Sequence, residues 1–413
     1  MAEAASLRGF NLKETFLSLS YPNYRLWFIG QLVSLVGTWM QSAAQGYLIY
    51  ELTKSPAYLG YVSFAAGLPS WIFTLYAGAI ADRIPRRTLM VITQSSMMFL
   101  AFILAALTFT NLVQPWHIIV LAFLLGIANA FDAPARQAFV VELVDRDVLT
   151  NAIAVNSTMF TSAIVVGPAV GGLTYAAVGP EWCFVLNGIS FIAVIAALMM
   201  MKLKPMQRIQ RKATAWSEIK DGLRYVWRDD RLRMLISNIG VTTLFGLSIA
   251  TLIPAWSVDI LGGDAKTNGF LLSARGFGSL LGAIMIASMS RRQFRGKMWT
   301  VASFALPLMM FIFAGVRSVP LALLIMAGNG WAFISLNNTT NAMVQTQVPD
   351  ELRGRVMGIY TLVFFGSMPL GSLLAGNMAD HFGAPLTVMI FSVLLLLFAV
   401  FIYWRKPAMR KIG

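Results

Sequence analysis

Cysteine, histidine and acidic side chains are all scarce in this chain. Its single cysteine, Cys183, excludes internal disulfides and any metal site built on several thiolates. The two histidines, His117 and His381, fall at the predicted outer ends of apolar runs, far from any ligand cluster. No metal is therefore expected, and neither histidine is assigned a chemical role. No G-x-x-x-x-G-K-[ST] sequence occurs, so ATP is not the expected energy source. No His/Asp/Glu or Ser/His constellation gathers at one depth, so an enzyme is not expected and no cofactor is implied. The first twenty residues lack a signal-peptide core, and the N-terminus is expected to be retained.

What is present is apolar. Hydrophobic residues make up 57% of the 413, charged residues only 12%, and the mean hydropathy of +0.69 excludes a soluble domain of this size. Runs long enough to cross a bilayer, about 20 residues each, recur at 26–50, 57–81, 89–109, 116–135, 149–178, 182–201, 234–258, 269–289, 298–315, 320–345, 356–379 and 385–403. The fold class is thus an all-α membrane protein of twelve transmembrane helices. The net charge of +14 invites a nucleic-acid partner, but its distribution rejects one. With both termini cytoplasmic, all but four of the 32 lysines and arginines fall on that side, the exceptions being Lys54, Lys266, Arg317 and, within a span, Arg275. That is the positive-inside bias of a multi-pass inner-membrane protein, with membrane lipids as the attracted anion.

The pattern is written twice, 204 residues apart. Gly78-Ala79-Ile80 returns as Gly282-Ala283-Ile284, each followed by arginines, and Gly172 and Gly179 fall on Gly376 and Gly383. Two homologous membrane halves follow, with a solute site expected near the midplane between them. The halves are read as 1–203 and 234–413, joined by a basic linker at 204–233. Within that linker Trp216, Ile219, Leu223, Val226 and Trp227 recur at helical spacing with Lys220, Arg224 and Arg228 between them. This predicts an amphipathic helix on the inner leaflet.

Two motifs carry mechanism. Gly78-Ala79-Ile80-Ala81-Asp82-Arg83-Ile84-Pro85-Arg86-Arg87 closes the second run and opens the third, setting one acid among arginines at the inner face. It resembles the loop between spans two and three of the major facilitator superfamily, departing from it at Pro85 and Met90. The resemblance implies two pseudo-symmetric six-helix bundles and a gating contact between Asp82 and the N-terminus of span eleven, near 353–356, where the helix dipole favours an anion. At the repeat position of Asp82 stands Ile286, so the first-half copy is expected to dominate. The second motif, Ala163-Ile164-Val165-Val166-Gly167-Pro168-Ala169-Val170-Gly171-Gly172, places small residues on one face and a proline in mid-helix. It is similar to the span-five motif of that superfamily's exporters, with Ala163 for the first glycine, and generic small-residue packing is its alternative. The segments 23–31, 131–137, 221–226 and 353–356 further resemble the branch of drug and siderophore exporters.

Polar residues inside the runs are the candidate substrate contacts. Gln31, Ser34, Thr38, Gln41 and Gln45 share one face of span one, which must meet protein or water. Asn238 on span seven, with Asn329, Asn337 and Asn341 on span ten, forms a weaker set. Lining a cavity and hydrogen-bonding neighbouring helices are both open to these residues. Asp132 and Arg136 near the inner end of span four, and Asp259 near the outer end of span seven, are the coupling candidates. Arg275 is the only charge well within a span; it either receives an anionic substrate group or pairs with Asp259 or a carbonyl. The expected function is secondary export of an amphipathic small molecule by alternating access. The resemblance implies proton coupling, and the chain is expected to act as a monomer. Transport of another substrate class, such as a lysolipid or metabolite, and a non-transporting sensor of the same fold remain as alternatives.

Overall fold

The computed structural model describes residues 15–81, 84–202, 215–288 and 294–405. They form twelve long helical segments and one linker helix. Spans 1 to 6 are Pro22–Thr53, Pro56–Ala81, Arg86–Phe109, Pro115–Leu143, Leu149–Val178 and Pro180–Met200. After the linker helix Ala215–Arg228, spans 7 to 12 are Asp230–Ile260, Ala265–Ser288, Arg295–Gly315, Val319–Gln347, Asp350–Phe382 and Ala384–Arg405. Spans 3 to 12 are each long and apolar enough to cross a membrane.

Local chemistry sets the helix ends. Proline stands in the first turn of spans 1, 4, 6 and 10, where its missing N–H has no intrahelical partner to lose. Spans 5 and 11 both stop at a glycine with positive φ, Gly179 at +101° and Gly383 at +81°. These two are repeat mates, so the 204-residue offset marks the same stop twice.

Packing reproduces the repeat. In the first half, span 1 lies on spans 5 and 6, span 4 on spans 2 and 3, and span 3 on span 6. The equivalent pairs recur in the second half: span 7 on spans 11 and 12, span 10 on spans 8 and 9, and span 9 on span 12. Between the halves, span 2 meets span 11 and span 5 meets span 8, two contacts that exchange under the same pseudo-twofold relation.

Span 7 is the irregular member. Its helix winds as α to Val241, π over Thr242–Leu247, 3-10 over Ser248–Leu252, and π again over Trp256–Ile260. Such backbone is tolerated at membrane depth only where protein or water covers it. Here the Leu244 carbonyl faces Gly371 of span 11, and Thr251 Oγ1 donates to Ser372 Oγ at 2.9 Å.

The linker helix packs partly on the second half. Gly222 abuts the Arg355 carbonyl of span 11 and Val226 enters the second-half core, whereas Leu223 and Trp227 stay exposed beside Lys220, Arg224 and Arg228. Among the described residues, Val226 thus packs on protein while Leu223 and Trp227 lie open.

Close helix approach is enforced by glycine. A Cβ at Gly278 of span 8 would lie 1.8 Å from the Ala327 carbonyl oxygen of span 10. Gly278→Ala should lower the thermal unfolding midpoint in detergent by several degrees, since overpacking costs about 1–3 kcal/mol. Gly358→Ala, whose new methyl meets nothing within 4 Å, should leave it unchanged. Equal midpoints for the two variants would contradict this packing.

Candidate functional site

The basic loop after span 2 is held by its neighbours. Arg86 Nη1 donates to Glu142 Oε1 at 2.8 Å and to the Ala138 carbonyl at 2.9 Å, fixing the start of span 3 to the end of span 4. Arg87 donates to the carbonyls of Met199 at 2.8 Å and Met201 at 3.3 Å, which the end of span 6 leaves without helical partners. Gly78 lies in the helical backbone of span 2. Asp82 and Arg83, and with them the expected contact to span 11, lie outside the described residues. At that end of span 11, Arg353 pairs with Asp350 at 2.5 Å.

The span-5 motif serves two neighbours. A Cβ at Gly167 would stand 2.5 Å from Trp39 Cβ, and one at Gly171 would stand 2.8 Å from the Met40 carbonyl oxygen, both on span 1 of the same half. Gly172 turns the other way: its Cβ would lie 2.4 Å from the Ala265 carbonyl oxygen at the start of span 8. Gly269 on span 8 answers it, close against the Pro168 carbonyl. Pro168 has no N–H to give the Ile164 carbonyl, and that freed oxygen faces Gly276. The repeat mate of Gly172, Gly376, lies in the same way against Pro56 and Gly60 of span 2.

These contacts all fall toward the membrane side opposite the chain termini. Hydrogen bonds between the halves fall there too: Tyr50 donates to Asp259, Ser55 to Asp380 at 2.5 Å, Tyr61 to Asn377 at 3.1 Å, and Asn268 to the Ala43 carbonyl at 3.4 Å. The far end is thus closed by backbone-to-backbone contact, tied at its rim by carboxylates. Asp259 is one of those ties and not the partner of Arg275.

Span 4 is longer than its apolar run. It continues to Leu143, where the sequence reading stopped at 135, because residues 138–141 remain apolar after the polar pair Arg136-Gln137. Asp132 consequently lies eleven residues inside the helix end, about 16 Å along the axis at ~1.5 Å per residue. Its side chain is 1% exposed. Oδ1 accepts from Thr93 Oγ1 at 2.9 Å and Gln94 Nε2 at 3.0 Å, while Oδ2 lies 3.7 Å from Arg136 Nε. One oxygen of this buried acid thus lacks a hydrogen-bond donor.

The span-1 stripe is mostly packed away in this conformation. Gln31, Gln41 and Gln45 are buried, and Gln41 Oε1 accepts from Asn187 Nδ2 of span 6 at 2.7 Å. Thr38 donates to its own Ser34 carbonyl at 2.8 Å. On span 10, Asn337 accepts from Tyr360 at 2.9 Å and Asn341 from Gln345 at 2.6 Å. Asn238 is buried with Nδ2 unpartnered. Asn329 accepts from Arg275 Nε at 3.2 Å, and the ring of Phe333 lies 5.5 Å from that guanidinium. The structure thus joins Arg275 to Asn329 but joins neither to the span-1 stripe.

A family profile described as transmembrane secretion effector, within the major facilitator superfamily, matches residues 14–411. The chain belongs to this family. Its members are transporters. Over 366 residues the chain is 30% identical to the multidrug efflux pump Tap of Mycolicibacterium fortuitum, covering 86% of this chain and 88% of that one. It is 25% identical to the staphyloferrin A transporter of Staphylococcus aureus, covering 89% and 92%. Among solved structures, the nucleoside transporter NupG superposes with a TM-score of 0.75 at 16% identity, over 95% of this chain and 99% of that one. That likeness speaks for the fold alone.

Sequence reasoning missed the partners more than the residues. Thr93 and Gln94 stand out as a polar pair inside an apolar run, and Asn187 as a lone amide in another; each marks a buried acceptor on a neighbour. Tyr50 and Tyr175, which donate to Asp259 and Glu51, carried no such signal because tyrosine is ordinary at a membrane interface.

Proposed function

We propose that this secretion-effector transporter exports amphipathic small molecules, drug-like compounds or siderophores, across the inner membrane by alternating access. The observation that carries this reading is the far-end seam. Glycine and freed carbonyls let spans 5 and 8, and spans 2 and 11, close without side chains between them. Residues 1–203 and 234–413 would then rock about this contact as two rigid bodies, with 204–233 as their tether. The names of the relatives support an efflux direction and the two substrate classes. The basic residues support cytoplasmic termini, and on that orientation the closed far end would be the external one. Asp132, paired with Arg136, is the proposed proton carrier: protonation at Oδ2 would cancel the charge that holds Arg136 while Oδ1 goes on accepting from span 3. The functional unit is taken as a monomer.

Inside-out membrane vesicles test this reading. With an imposed proton gradient they should accumulate at least one member of a panel of amphipathic drugs and siderophores, and nigericin should discharge the gain. Vesicles holding the protein that accumulate no member of a drug and siderophore panel would refute export.

A further inference from the structure

We infer that the exported compound carries an anionic group, a carboxylate by preference, and that Arg275 and Asn329 receive it inside the membrane. This rests on the export reading above. A guanidinium within a span is costly unless something balances it. Among the described residues the ion pairs are Arg86–Glu142, Arg136–Asp132, Arg233–Asp230 and Arg353–Asp350, and none includes Arg275. Only its Nε is engaged, by Asn329 Oδ1. No described residue accepts from its two Nη groups.

Asn329 points to the same ligand. It is 1% exposed, its oxygen is occupied by Arg275, and its Nδ2 has no partner. A buried amide donor without an acceptor is destabilising, so the site is poised for one. Guanidinium and amide together offer only N–H groups, and a carboxylate supplies the acceptors both lack in the planar geometry the guanidinium fork matches. Gly330 makes the pairing possible, since a Cβ there would come within 1.9 Å of the Arg275 carbonyl oxygen and push the helices apart.

The group looks toward the space between the halves. Asn268, two turns before Arg275 on the same face of span 8, reaches the Ala43 carbonyl of span 1. Phe277, Leu281 and Ile284, on the opposite face, are exposed at the outer surface of the bundle. Phe333 beside the guanidinium supplies an apolar wall for the rest of an amphipathic molecule.

Three fluorophores that share the dansyl group and carry an anionic, a neutral and a cationic head test the inference: dansylglycine, dansylamide and dansylcadaverine. Binding to the full-length protein in phosphatidylcholine nanodiscs is read by tryptophan-to-dansyl energy transfer. The wild type should prefer the anion over the cation at least about tenfold, the worth of one charge-assisted hydrogen bond. Arg275→Gln should lose that preference, and Arg275→Lys should keep part of it. Asn329→Asp gives the arginine an internal counter-ion and should also abolish the preference, while its thermal midpoint holds or rises. Equal affinities for the three probes, no dansylglycine binding, or undiminished preference in Arg275→Gln would overturn the inference. In inside-out vesicles the two readings separate. Export of all three probes without charge preference leaves the transporter and removes the anion site, whereas anion-selective binding without accumulation of any probe keeps the site and removes export.

Discussion

Asp132→Asn should uncouple the protein without unfolding it. The substitution keeps the shape of a buried group that already accepts from Thr93 and Gln94 but removes the charge facing Arg136. Breaking a fully buried pair would destabilise strongly. Here the Arg136 side chain keeps 20% of its surface exposed, so its charge can find solvent and the fold should survive. Gradient-driven accumulation in inside-out vesicles should fall roughly a hundredfold, the low end of what one proton-transferring side chain contributes. Exchange of labelled for unlabelled substrate across the same vesicles, which needs no net proton movement, should persist. Uphill transport at the wild-type rate would remove Asp132 from the coupling path and leave Asp259 as the next candidate.

The second large effect separates two adjacent glycines. Gly171→Val places its side chain against Met40 inside the first half, and Gly172→Val places it against Ala265 across the seam. The first should lower thermal stability, because a same-half contact is present in every conformation. The second should leave the halves folded but unable to close at the far end, and transport should be lost. A cysteine at Lys266 in a Cys183→Ser background should then react with a membrane-impermeant thiol reagent from outside far faster in Gly172→Val than in its parent. Val170→Ala should behave as the parent in all three measurements. Stability loss without any gain in labelling for Gly172→Val would mean that the seam does not open during the cycle.

The architecture was legible because its signals are redundant. Apolar runs, basic flanks and the 204-residue repeat each specify the same helices, and Gly179 with Gly383 shows the repeat acting on backbone geometry. The site was less legible. Gly171 and Gly172 look alike in sequence, yet the 100° between successive helical residues sends them to different halves. The helix of span 4 runs eight residues past the apolar run, and nothing in the polar pair Arg136-Gln137 signals that continuation or the Thr93 and Gln94 partners of Asp132. Arg275 was recognised as unusual, but its partner lies on another span and sequence offers no distance between them. Gln41 belongs to the face expected to line a path, yet it is spent on Asn187; periodicity identifies a face and leaves open which neighbour covers it.

The seam between spans 5 and 8 is main chain laid on main chain, through Gly172, Gly269, Gly276 and the carbonyls of Ile164 and Pro168. A main-chain surface is the same in every protein, so the only instruction its primary structure must carry is to stay small. Opening and closing are therefore encoded in a handful of positions, separate from those that choose the cargo. If Arg275, Asn329 and Phe333 receive the cargo as inferred above, they could drift toward a new chemical class without detuning the machine around them. A protein so divided is free to change what it carries one side chain at a time.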